Sequence, residues 1–218
     1  AEPVAPQVVD YDFATTDGLP MDFQWLRSPQ PERLFSLTEN PGRLTLFGRE
    51  SIGNWFEQAL VARRRTEFRC SFETSMEFEP ADFQQMAGLV VYYNRQMFHY
   101  LCVSQDDEGV KRLMIQSTIK GWPDCPLDFP VGEGEEVPRG EPLLLGVDIN
   151  DDALQFRFRL EGREWTPVGL ILSSFEISDE GGRGEHANFT GTFIGMAAQD
   201  LTGQARQATF AAARYTEG

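Results

Sequence analysis

The chain has 218 residues, 41% of them hydrophobic and 17 of them Phe, and it carries a net charge of −15 with a pI near 4.5. So many rings demand a sizeable core and exclude a disordered chain. The acidic balance excludes nucleic acid as a partner, because a phosphate backbone is bound through a basic stripe that releases its counterions, and Arg63-Arg64-Arg65 is too short to supply one.

No stretch reaches the roughly 18 apolar residues that cross a bilayer, so no membrane partner is expected. The first thirty residues hold no charged-then-apolar leader. Residues 1–8, with prolines and no periodicity, read as a linker or the tail of an upstream region, and residues 9–218 as one β-sandwich domain.

From there the chain is a series of short apolar, β-branched or aromatic runs broken by Gly, Pro, Asn and Asp, with no 3.6-residue amphipathic period. Residues 43–47 read RLTLF. In the run at 67–78, Phe68, Cys70, Phe72, Thr74, Met76 and Phe78 share one face and charged or Ser residues the other, which predicts a long half-buried antiparallel strand.

Strands are predicted at 87–94 and 98–105, joined by a hairpin turn at 94–97. A second turn at 106–109 leads into a strand at 110–118. Strands at 142–149 and 154–160 flank the turn Asn150-Asp151-Asp152. Further runs at 193–199 and 205–215 complete a pattern of turn signals without helical crossovers, which indicates two stacked antiparallel sheets. Cys70, Cys102 and Cys125 match no zinc or redox spacing and are read as small buried thiols. Their odd number favours a reducing, cytoplasmic compartment.

Five segments carry a resemblance: GRLTLFGRES at 42–51, QALVARR at 58–64, FQQMAGL at 83–89, FTGTFIGM at 189–196 and QDLTG at 199–203. In this order they resemble the concanavalin A-like carboxy-terminal domain of family 43 β-xylosidases, over about residues 9–215. The resemblance implies an all-β, concanavalin A-like jelly-roll sandwich of two antiparallel sheets. It implies a non-catalytic accessory domain whose partner is a five-bladed catalytic propeller hydrolysing xylosides, often with arabinofuranosidase side activity. It also implies that a Gly-rich loop at 178–188 carries Phe189 to the edge of the xylose pocket, where a flat ring excludes water and stacks on a sugar.

The residues themselves offer no second chemistry. A glycosidase needs two converging carboxylates, but Asp106, Asp107, Glu108, Asp151, Asp152, Asp179 and Glu180 all stand where solvated turns favour acids. A Glu-x-Asp-x-x-Glu strand, expected of a laminarinase-like hydrolase on this sandwich, is missing from the sequence. His99 lies within an aromatic strand and reads as a satisfied sheet histidine. His186 and Asn188, in the loop before Phe189, are the candidates for touching a sugar. Trp55 and Trp122, flanked by Gly, Pro or Asn, are the candidate stacking platforms, whereas Trp25 and Trp165 lie in strand-like stretches; for all four Trp, core or interface burial is the favoured reading. No cofactor is required. A structural calcium held by Asp12 and Asp200 is weighed against an ordinary Asx turn at Asp200. An independent module binding xylan or xylo-oligosaccharides is the competing reading.

Overall fold

The computed structural model describes residues 7–14, 18–119, 126–181 and 190–218. Among them fifteen strands form: β1 (Val8–Asp12), β2 (Phe23–Trp25), β3 (Phe35–Ser36), β4 (Leu44–Phe47), β5 (Ala59–Arg64), β6 (Arg69–Glu77), β7 (Gln85–Asn94), β8 (Met97–Gln105), β9 (Lys111–Thr118), β10 (Glu135–Glu136), β11 (Leu143–Asn150), β12 (Ala153–Leu160), β13 (Thr166–Ser173), β14 (Phe193–Asp200) and β15 (Gln207–Glu217). The described residues include two 3-10 turns, Pro31–Arg33 and Phe175–Ile177, and no α-helix. No helix among them is long and apolar enough to cross a membrane.

The strands make two antiparallel sheets. The larger runs β13-β12-β11-β6-β15-β4-β3, and β1 also pairs with β15; the smaller runs β10-β9-β8-β7-β14-β5-β2. The three hairpins follow the turn signals, with Asn94 opposite Met97, Gln105 opposite Lys111 and Asn150 opposite Ala153. Asp106 closes the second by accepting from the Glu108 and Val110 N–H groups, the Asx geometry that favours Asp at such a place.

Between the sheets lies the main core. Alternation puts Cys70, Phe72, Thr74 and Met76 of β6 inward against Leu145 and Val147 of β11, Leu101 of β8 and Tyr215 of β15. Burial of each large side chain there contributes about 1.5–3 kcal/mol. The expected inward run starts one position too early. Phe68 lies outside β6 and is 77% exposed. The ladder begins at Arg69 opposite Asn150, and the Phe68 carbonyl instead accepts from Asp151 N–H and the Arg65 guanidinium, so a turn turns the ring out.

His99 is the satisfied sheet histidine its neighbours predict. It is 1% exposed, with Nδ1 2.7 Å from Ser117 Oγ and Nε2 3.0 Å from Ser173 O. Burial holds its pKa down at about 4. Cys70 and Cys102 are free and buried, as read from their strands, and Cys125 lies outside the described residues.

Candidate functional site

The smaller sheet is buried on both faces. Its outward side chains include Leu60, Val90, Tyr92, Phe98, Tyr100 and Cys102, which form a second apolar layer outside the sandwich core. The layer is possible because the strands carry small residues where bulk would collide. A Cβ on Gly88 would lie 1.9 Å from Leu101 O, and one on Gly195 2.2 Å from Val61 O. Tyr100, on β8, reaches across β7 to donate 3.0 Å to Ala197 O on β14, and Gly88, the partner of Ala197, places no side chain on that path.

The chain at 48–58 folds over this layer as a cover. Ile52 is fully buried, and its N–H reaches Gln199 Oε1 at 3.4 Å. Gln58 Nε2 braces the cover internally, donating to Ile52 O and Asn54 O at 2.7 Å each, and reaches Tyr92 Oη of the layer at 3.4 Å. Beside the cover a cleft of about 310 Å³ stays open, lined by Trp25, Arg27, Arg64, Tyr92, Asn94 and Phe193, with Thr190 also on its wall.

β5 explains how one basic run serves two layers. Alternation sends Arg63 inward, 6% exposed, with its guanidinium 3.6 Å from the Tyr215 ring centre and 2.7 Å from Tyr11 Oη. Arg64 points outward, 5.0 Å from the ring centre of Phe193, its ladder partner. Trp25, at the end of β2, is 40% exposed; its Nε1 donates to Ser28 O at 3.0 Å and its ring leans on Phe35.

Thr190, on the cleft wall, is the first described residue after 182–189. Both flanks of residues 182–189 are clamped. Asp179 accepts from Tyr93 Oη and, at 3.3 Å, from Gly191 N–H. Thr192 Oγ1 donates to Ile177 O at 2.8 Å, and Arg64 donates to Thr190 O. Burial and the Asp179 carboxylate together push the Tyr93 phenol pKa up, so it stays a donor.

Phe189, His186, Asn188 and Trp122 lie outside the described residues. Trp55 is half-exposed under the Arg95 guanidinium, 3.6 Å from its ring centre. Trp165 precedes β13 and stacks with Arg157 at 3.9 Å, partly exposed. Asp12 ends β1 in the larger sheet, exposed, and accepts from Ala14 N–H at 2.8 Å. Asp200 ends β14 in the smaller sheet and is 4% exposed. Its Oδ1 accepts from Thr202 N and Oγ1, and its Oδ2 from Arg206 N and Gln85 Nε2. Burial raises its pKa, and these donors together overcome that and hold the carboxyl below its ordinary range. Oxygens so engaged fit a hydrogen-bonded turn better than a cation's shell, and no group of three or more His, Cys, Asp or Glu among the described residues could hold a metal.

Two of the cleft residues have other readings in the sequence: Arg64 belongs to the short basic run, and Trp25, expected in a core or interface, is 40% exposed on the cleft wall because β2 is an edge strand. Their signal was present in part: a strand arginine beside aromatic runs, split by the two-residue period.

Three comparisons bear on this arrangement. The model of the β-xylosidase C-terminal concanavalin A-like domain family matches residues 10–216. A xylosidase/arabinosidase 43B of Humicola insolens is 48% identical over 199 residues, covering 91% of this chain and 37% of that protein. A β-xylosidase of Bacillus subtilis is 36% identical over 217 residues, covering 99% of this chain and 39% of that protein. The crystal structure of a xylan β-1,4-xylosidase from Bacillus halodurans superimposes with a TM-score of 0.87 at 36% identity, over 95% of this chain and 39% of that one. The chain thus spans under two-fifths of the length of each of these relatives.

Proposed function

The chain belongs to the family of β-xylosidase C-terminal concanavalin A-like domains, and from that premise we propose that it acts as the non-catalytic accessory domain of a xylan-degrading family 43 enzyme. In this reading it packs on a catalytic propeller in the parent chain and completes the xylose pocket with Phe189. The two carboxylates that cleave the glycosidic bond belong to the propeller.

The observation that carries the reading is the clamp. Asp179, Tyr93, Arg64 and Thr192 fix both flanks of residues 182–189 to strands of the smaller sheet. A loop with anchored ends delivers a ring to a neighbouring pocket with little ordering cost, which is what positioning a sugar for attack requires. The ring then excludes water and stacks on the sugar's apolar face.

In the full-length parent enzyme, Phe189→Ala is expected to lower kcat/KM on a short xylo-oligosaccharide by about tenfold or more, a loss of roughly 1.4 kcal/mol of transition-state stabilisation, while the thermal midpoint stays put. Unchanged turnover at full stability would overturn the reading.

The second reading, an independent module for xylan or xylo-oligosaccharides, draws on the ring-lined cleft at Trp25. Calorimetry of the 218-residue chain with a neutral xylo-oligosaccharide tests it separately, because that cleft belongs wholly to this chain.

A further inference from the structure

The cleft at Trp25 has a charge that its chain does not. The sequence holds 34 acidic against 19 Lys and Arg residues, yet the charged residues among the described lining are Arg27 and Arg64, with no carboxylate beside them. Among the described residues nine ion pairs occupy bases elsewhere, and none of them involves Arg27, Arg64 or the nearby Arg95.

These guanidiniums are held, though not by acids. Arg27 adopts φ 55°, a left-handed backbone that a branched or long side chain rarely takes, and its Nη1 reaches Trp55 O at 3.4 Å. Such strain gathers at binding sites, where surrounding structure fixes it. Arg64 spends one N–H on Thr190 O, and a guanidinium has five to give. Burial raises the pKa of Tyr92, on the cleft floor, to about 12, with the Gln58 hydrogen bond and the fields of Arg27 and Arg95 pulling the other way.

The rest of the lining suits a ring. Trp25, Tyr92 and Phe193 supply flat apolar surface, Asn94 an amide, and the volume sits at the lower end of small-ligand sites, roughly 300–1,000 Å³. A neutral sugar would use the rings and leave the two cations unanswered. A nucleic-acid phosphate is opposed by the charge of the whole chain.

We propose that this cleft binds an acidic sugar, a uronic-acid unit carried on an oligosaccharide, with its ring on Trp25 and Tyr92 and its carboxylate on Arg27 and Arg64. Paired guanidinium–carboxylate contacts of this kind are the stronger class of hydrogen bond and favour planar, bidentate geometry. The inference sharpens the module reading and does not depend on Phe189 or on docking.

The test is calorimetry of the 218-residue chain with a glucuronic-acid-substituted xylo-oligosaccharide and with the same oligosaccharide unsubstituted. The acidic ligand should bind about fivefold or more tighter, with the gap shrinking as salt rises from about 0.05 to 0.5 M. Arg27→Gln should close most of that gap, Arg64→Lys should narrow it, and Trp25→Ala should weaken both ligands, each variant keeping the parent's far-UV spectrum and thermal midpoint. Equal affinity for the two ligands, or a gap that survives Arg27→Gln, overturns the acidic-sugar assignment and leaves the neutral-module reading standing. Binding of neither ligand overturns both, and neither result bears on the Phe189→Ala turnover measurement.

Discussion

The two sheets share one core but use their outer faces in opposite ways. On the larger sheet the outward residues include a charged, mutually paired set: Arg157 lies across Gly146 and meets Glu73 at 2.7 Å and Asp148 at 2.6 Å, and Arg214 meets Asp10 at 2.6 Å. On the smaller sheet the outward residues include Tyr, Phe, Val and Cys, buried in one cluster with Ile52 of the chain at 48–58. The difference teaches where recognition can arise. A face of exposed ion pairs keeps a broad sheet solvated and adds little stability. A second apolar layer with an incomplete cover leaves a shaped opening, and both the cleft and the clamped flanks of residues 182–189 stand at that opening.

The comparison is broken most severely at Tyr100. If the outer layer of the smaller sheet is a true core, Tyr100→Ala should cost about 3–5 kcal/mol in urea unfolding, the range for emptying a buried aromatic site. A cost below about 1 kcal/mol would make the layer a mere surface coating.

Acid probes the inner layer beneath it. Unfolded His99 takes up its proton near pH 6.5, whereas burial holds the folded imidazole to about 4. The unfolded chain therefore binds more protons between those values, and stability present above about pH 6.5 is lost as the pH falls toward 4. The loss is of order 2–3 kcal/mol for this group. Unfolding midpoints of the parent and of His99→Gln should converge in slope above pH 7 and diverge between 4 and 6, the variant showing the shallower dependence.

The smallest effect belongs to the larger sheet. Asp148 is half-exposed beside Arg157, so Asp148→Ala should change stability by less than about 1 kcal/mol. A larger loss would mean that the charged face is structural after all.

Much of this was legible in the residues. Period-two alternation and the acids and Asn in the turns placed β6, the three hairpins and the satisfied His99, and the motifs at 42–51 and 189–196 carried the family. Phe68 was misassigned because alternation carries no signal for where a ladder ends; pairing of Arg69 with Asn150 decides that. The second apolar layer went unread although the run at 87–93 is apolar on both parities, as a strand covered on two faces must be. The cleft escaped for a different reason. Trp25, Arg27, Arg64 and Tyr92 are spread over nearly seventy positions, as their numbers show, and the pairing of β2 with β5, of β5 with β14 and of β14 with β7 brings their strands together.

Each apolar layer contains its own thiol. Cys70 belongs to the inner layer and Cys102 to the outer one, and burial raises the pKa of both, so neither sulfur is a competent nucleophile while its layer is shut. An alkylating reagent would consequently reach each sulfur only in molecules whose own layer had opened. The protein thus holds two natural clocks, which report separately whether its layers breathe together or in turn.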